Sequence, residues 1–205
     1  MIKDAIGHFK TITKHKLLVM KGCFRVGLYK QGLLHDMSKY MPSEFLVGCR
    51  YYQGNRSPNN AERERYGYSS AWLHHKGRNK HHFEYWVDYS LEQNQVPMAG
   101  VQMPRKYVAE MLMDRIAASK VYNGASYTDH DPIQYYLRGK NHYMMHPRTA
   151  KELEGLLRIL DQRGEEALYD FVKNRYLKKS KRLKYSRLAV WYHFSDFDEP
   201  HSSLK

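Results

Sequence analysis

Apolar side chains in this sequence recur at alternating three- and four-residue steps, a spacing that confines the chain to packed helices. Ile12, Val19, Cys23 and Val26, with His15 among them, fall on one face of a helix expected over about residues 3 to 30. Tyr107, Met111, Asp114, Ala118 and Val121 share a face on a second helix, opened by Pro104 and running from about 105 to 122. Pro147 starts a third over RTAKELEGLLRILDQRG, followed by a last one over EEALYDFVKNRYLKK. Segments with a period of two are few and no internal repeat is present, so the expected fold class is all-α.

Shorter elements lie between these. Gly32 is expected to stop the first helix, after which LLHDMSKY resumes as a short one, and Pro42-Ser43-Glu44 opens another through FLVGCRYY. GNRSPNNAERERYG is polar and rich in turn formers and reads as an exposed loop. A helix from Tyr68 to His75 is interrupted at Gly77, restarts at His81-His82 through FEYWVDYSL, and breaks between Pro97 and Gly100. Asp131-Pro132 begins a short helix over IQYYL, and the tail AVWYHFSDFDEP is aromatic and acidic without an assignable period. At 205 residues and 42% hydrophobic, the chain reads as one helical domain over 1–165. Residues 166–205 add a C-terminal helix and a basic, aromatic tail packed on that domain or extending from it.

Lys and Arg outnumber Asp and Glu 34 to 21, a formal charge of +13, which favours an anionic partner: nucleic acid, a nucleotide, a phosphorylated metabolite or an acidic membrane surface. The excess concentrates in Lys173, Arg175, Lys178, Lys179, Lys181, Arg182, Lys184 and Arg187, with no acid between them. Cys23 and Cys49 stand outside any CxxC spacing and read as reduced core thiols of a cytosolic protein. No apolar run approaches the roughly 20 residues of a membrane helix, and the N-terminus lacks the apolar stretch of a signal peptide, so cytoplasm is the expected location.

The chemistry begins where polar residues break the apolar stripes. His15 sits among Ile12, Val19 and Cys23, and Asp114 among Met111, Ala118 and Val121. A buried carboxylate needs a cation or strong donors beside it. Taken alone, His15 reads as a hydrogen-bonded core histidine and Asp114 as the partner of an Arg or Lys. Two further motifs change that balance. Leu33-Leu34-His35-Asp36-Met37-Ser38-Lys39 places adjacent His and Asp 20 residues after His15, with Lys39 three beyond Asp36. AWLHHKGRNKHHFEYW then packs His74, His75, His81 and His82 into nine positions, and neutral imidazole is the commonest metal ligand.

The order His, His-Asp, Asp in an L-x-HD-x-x-K context resembles the HD-domain metal-dependent phosphohydrolase superfamily. The histidine cluster between the His-Asp pair and the last Asp is similar to that superfamily's two-metal branch, which includes HD-GYP cyclic dinucleotide phosphodiesterases and relatives of the inositol oxygenase type. HDMSKYMPSEF with HHKGRNKHHFEYW, DPIQYY and MHP resembles more closely the DUF5662 family of uncharacterised bacterial and phage proteins, over about residues 10 to 165. The resemblance implies an HD-domain-like helical bundle. It implies His15, His35, Asp36 and Asp114 as ligands of a first metal, and Asp36 as the bridge to a second held by His75 with His81 or His82. His74 matches less well than its neighbour. The GYP element is absent and the step from His75 to His81 is shorter than in that branch.

The implied activity is hydrolysis of a phosphomonoester or phosphodiester, nucleotides among them, by water activated between two divalent ions (Mn, Fe, Co, Ni or Zn). Asp36 and Lys39 are the expected catalytic residues. Lys39 either neutralises phosphoryl charge or pairs with Glu44. Lys39, Arg78 and Lys80 are the expected substrate contacts, with Arg105 and Arg115 as further candidates. Two alternatives use the same sequence differently: a di-iron oxygenase on the same ligands, and a basic nucleic-acid-binding protein with structural histidines that tracks phosphates through Lys173 to Arg187.

Overall fold

The computed structural model describes residues 2–90 and 97–178. Helix α1, Ile2–Arg25, buries His8, Ile12, His15, Val19, Gly22 and Cys23 along the stripe read from the sequence. It ends earlier than expected: Leu28 N donates to Cys23 O at 2.8 Å and Gly27 N to Phe24 O at 3.1 Å, closing the last turn. The chain re-enters helix as α2, Tyr29–Leu34. Gly32, expected as a stop, lies buried inside α2 because a side chain there would meet Cys23 and Phe24 at 3.0 Å. It allows α2 to fold back tightly on α1.

A 3₁₀ turn over Met37–Tyr40 leads to α3, Pro42–Arg50. The expected exposed loop at GNRSPNNAERERYG is instead largely a helix, α4, Pro58–Tyr66. Pro58 in its first turn and Gly67 at its end bracket it. Its buried Glu62 accepts hydrogen bonds from Ser69 and Ser70, at 2.6 and 2.5 Å. Helix α5, Ser70–Arg78, is capped by Ser69, whose Oγ accepts from Trp72 N, and runs through Gly77 without interruption. No helix restarts at His81. A 3₁₀ turn at Phe83–Trp86 enters strand β1, Val87–Tyr89, which pairs antiparallel with β2, Met98–Gly100, in the register Val87 to Gly100.

Helix α6, Arg105–Asn123, is the central element, with every residue from Val108 to Met113 buried. Helix α1 packs along one side of it and α8, Pro147–Phe171, along another; α7, Asp131–Gly139, bridges α6 and α8. The core joins Val19 and Cys23 of α1, Leu112 and Ile116 of α6, and Leu153, Leu157 and Leu160 of α8. Gly164, at φ 77° and ψ 175°, kinks α8 where the sequence separates its last two helices. Beyond the kink, Leu168, Tyr169, Val172 and Tyr176 join the same core. Residues from 179 onward, which hold most of the basic run and the AVWYHFSDFDEP tail, lie outside the described residues. Among the described residues the fold is eight α-helices with one two-stranded ribbon, and no helix is long and apolar enough to cross a membrane.

Candidate metal centre

Four parts of the chain meet at Asp36. Helix α1 supplies His15, the junction after α2 supplies His35 and Asp36, α5 and the turn after it supply His75, His81 and His82, and α6 supplies Glu110 and Asp114. Asp36 is the only non-glycine residue with positive φ among the described residues, at φ 53° and ψ 24°. Asp is one of the few residues that visits this left-handed region routinely. His35 and Asp36, each 1% exposed, both carry their side chains inward from that turn.

The two oxygens of Asp36 address different partners. Oδ2 lies 3.4 Å from His35 Nε2 and 3.8 Å from His15 Nε2, whereas Oδ1 lies 3.2 Å from His75 Nε2 and 3.3 Å from His81 Nε2. Asp114 Oδ1 closes the first group, 2.9 Å from His15 Nε2 and 3.8 Å from His35 Nε2. His82 belongs to the second, so that His15, His35, Asp36 and Asp114 form one set and Asp36, His75, His81 and His82 another, each with ligand atoms within 4.8 Å of one another. Ligands sharing one ion at bond lengths near 2.1 Å sit roughly 3–4 Å apart, the range of these contacts.

Nε2 of His15, His35, His75, His81 and His82 and Oδ1 of Asp36 are buried without a hydrogen-bond partner, while Asp36 Oδ2 pairs with Lys39 Nζ. The short contacts among them are close in distance alone. Burying six such atoms unpaired is costly, and their convergence fits divalent cations. The opposite ring nitrogens are held from behind. Glu110 Oε1 lies 3.1 Å from Nδ1 of both His35 and His81, and Glu44 Oε2 lies 2.8 Å from Nδ1 of His75. Carboxylates on Nδ1 fix the tautomer and turn the Nε2 lone pairs into the cluster, the arrangement of metal-ligating histidines.

Residues 4–159 match DUF5662, described as a family of unknown function. The chain belongs to that family. No curated protein and no solved structure is significantly similar to this DUF5662 protein. The matched span contains every residue of the cluster.

The electrostatics of the DUF5662 cluster follow from its burial. Burial disfavours the charged form of Asp36, but His35, Lys39 and His75 around it hold its carboxyl well below the usual carboxylate range. Asp114 is likewise disfavoured by burial and held low by His15, His81 and His35. Burial, with His81 and His75 adding to it, pushes His82 well below an ordinary histidine. Lys39 Nζ lies 2.6 Å from Asp36 Oδ2. The alternative pairing of Lys39 with Glu44 is not formed, because Glu44 is occupied by His75 and by His74 Nδ1 at 2.6 Å.

The structure brings together His15, His35, Asp36, His75, His81, His82 and Asp114, and places His74 outside, between Glu44 and Ser43. A cavity of about 830 Å³ opens onto the cluster, lined among others by His15, Lys39, His75, His82 and Asp114. Arg115 also lines it. Arg78 and Lys80, expected as substrate contacts, are exposed and outside the lining, and Lys80 sits over the Tyr85 ring at 5.5 Å. Arg105 is engaged elsewhere, with Glu152 and Tyr176 O. The sequence reading missed Glu110 and the role of Glu44. Both left a trace, since Glu110 precedes Asp114 by one helical turn and Glu44 opens the helix that follows the His-Asp motif.

Proposed function

We propose that this DUF5662 protein is a metal-dependent phosphohydrolase with an HD-domain-like bundle and a two-ion centre, acting on phosphomonoesters or phosphodiesters of small molecules or nucleotides. The observation that carries the reading is the convergence of five buried, unpartnered histidine Nε2 atoms around the two oxygens of one carboxylate, at the wall of a large cavity. His15, His35, Asp36 and Asp114 would hold one ion, and Asp36, His75, His81 and His82 the other. The ligand types suit Mn, Fe, Co, Ni or Zn. Ions bound there supply an acidified water and a Lewis acid for a phosphoryl oxygen.

The chain's own groups do the rest. Glu110 and Glu44 face the Nδ1 side of the imidazoles and fix their orientation, leaving Nε2 turned to the cluster. Lys39, which lines the cavity beside Asp36, offers a cation to a phosphoryl oxygen as negative charge develops. Asp36 and the histidines around it are buried at the cavity wall, which strengthens each of these contacts.

Protein reconstituted separately with each of the five metals and offered a panel of phosphomonoesters, phosphodiesters and nucleotides should release phosphate or cleave a diester with at least one. Asp36→Asn should abolish that turnover. Dioxygen consumption by the iron-loaded protein, with no phosphoester cleaved under any metal, would assign the site to oxygenase chemistry instead.

A further inference from the structure

Several arginines among the described residues are neutralised by acids. Arg25 pairs with Glu166, Arg56 with Glu64, Arg148 with Glu152 and Arg158 with Glu154. Two that face the cavity are not. Arg115, on α6 directly after Asp114, has its Nε buried without a hydrogen-bond partner, and its guanidinium enters no ion pair among the described residues. It lies against two rings of the α7 side, 5.8 Å from the Tyr136 centroid and 5.6 Å from that of Tyr143. Arg138, on α7, is exposed, lines the same cavity and rests over Tyr135 at 5.8 Å.

The α7 wall is ordered along one helical face. Asp131, Gln134, Tyr135 and Arg138 all line the cavity, at the three- and four-residue spacing that puts them on one side. Asp131, the acid of that face, is committed to the loop before it, its Oδ2 accepting from Thr128 N at 2.7 Å. Glu84, across the cavity, feels the charge of Arg115, but burial raises its carboxyl toward the neutral form, and the two make no ion pair. A buried guanidinium donor without an acceptor is costly. The two rings beside it offer the guanidinium N–H groups no acceptor, and a planar fork of donors matches a carboxylate or phosphate.

We infer that Arg115 and Arg138 form a second anion subsite on the α6–α7 wall. The substrate therefore carries another anionic group, a phosphate or a carboxylate, besides the phosphoester addressed to the metal centre. The inference rests on the phosphohydrolase reading for the role of the first group and on the α6–α7 wall for the second.

Matched ligand pairs test it by calorimetry on the metal-loaded full chain: glycerol 3-phosphate against 3-phosphoglycerate, and ribose 5-phosphate against ribose 1,5-bisphosphate. The carboxylate pair and the phosphate pair separate the two sources of the second charge. In at least one pair the doubly anionic member should bind about tenfold more tightly, the worth of one charge-assisted contact. That ratio should fall to about one in Arg115→Gln. It should fall severalfold in Arg138→Gln, whose exposed position leaves folding unaffected. Equal affinities in both pairs, or a ratio unchanged in both variants, would overturn the subsite. Elemental analysis and a parallel titration of the metal-free chain keep the two ideas apart: a chain that takes up no metal sinks the hydrolase reading, while the pair ratios measured without metal still report on Arg115 and Arg138.

Discussion

Glu110 Oε1 meets His81 Nδ1 at 3.1 Å, and the same oxygen meets His35 Nδ1 at 3.1 Å. One carboxylate thus fixes a histidine from each of the two candidate ion positions, while belonging to neither four-residue set. Glu110→Ala should weaken metal binding by about 10–100-fold, the usual consequence of losing a carboxylate behind a ligating histidine. Glu110→Gln, which keeps an acceptor oxygen but not the charge, should fall between that variant and the wild type. Competition with a chelator of known affinity measures both.

The left-handed backbone of Asp36 separates its two roles, as a turn residue and as a bridge. Asn also tolerates that region, so Asp36→Asn should fold and yet bind neither ion tightly. Asp36→Ala should be less stable than Asp36→Asn by about 1–2 kcal/mol, the cost of forcing an ordinary side chain into left-handed backbone. Denaturant melts of the metal-free variants compare them.

The two ligand sets make a further distinction. His15→Ala should remove the ion shared with His35 and Asp114, and His82→Ala the one shared with His75 and His81, each leaving about one equivalent. Native mass spectrometry counts the ions. Loss of both from either variant would show that the sets do not bind independently.

What could be read from the sequence was governed by how local each signal is. Pro42, Pro104, Asp131-Pro132 and Pro147 each mark a helix start found in the structure, because proline's missing N–H costs nothing there. His15 and Asp114 stood out because a polar group inside an apolar stripe needs a partner wherever it lands. Helix α4 was invisible because it is polar all round and its buried Glu62 is satisfied by Ser69 and Ser70 of the next segment. Strands β1 and β2 are three residues each, too short to show a period. Arg78 and Lys80 fall outside the cavity lining, because nearness in sequence to the histidines does not set which way the end of α5 and the turn after it face. Glu110 hides in a run buried on all sides of α6, where periodicity no longer separates inside from outside.

His8 gives a pH dependence separable from the metal. Its ring is 6% exposed between Phe45 and Tyr52, with no hydrogen bond at Nδ1. Gly48 makes room for it, since a Cβ there would stand 2.1 Å from its Nε2. Burial, and secondarily Lys39, lowers it from 6.5 to about 4. Below pH 6.5 the unfolded chain takes up a proton that the folded chain refuses, so stability contributed by neutral His8 is lost as pH falls from 6.5 toward 4. In the metal-free protein, His8→Leu should shed this acid-side slope, up to about one proton per molecule, relative to wild type. Urea melts across that interval measure it.

The two-ion centre itself is tested most directly by counting metal. The full chain, equilibrated with Mn, Fe, Co, Ni or Zn and freed of excess, should retain about two equivalents of at least one metal, measured by elemental analysis, and Asp36→Asn close to none. A wild-type chain that retains no metal under any of the five conditions, while folded by circular dichroism, would contradict it.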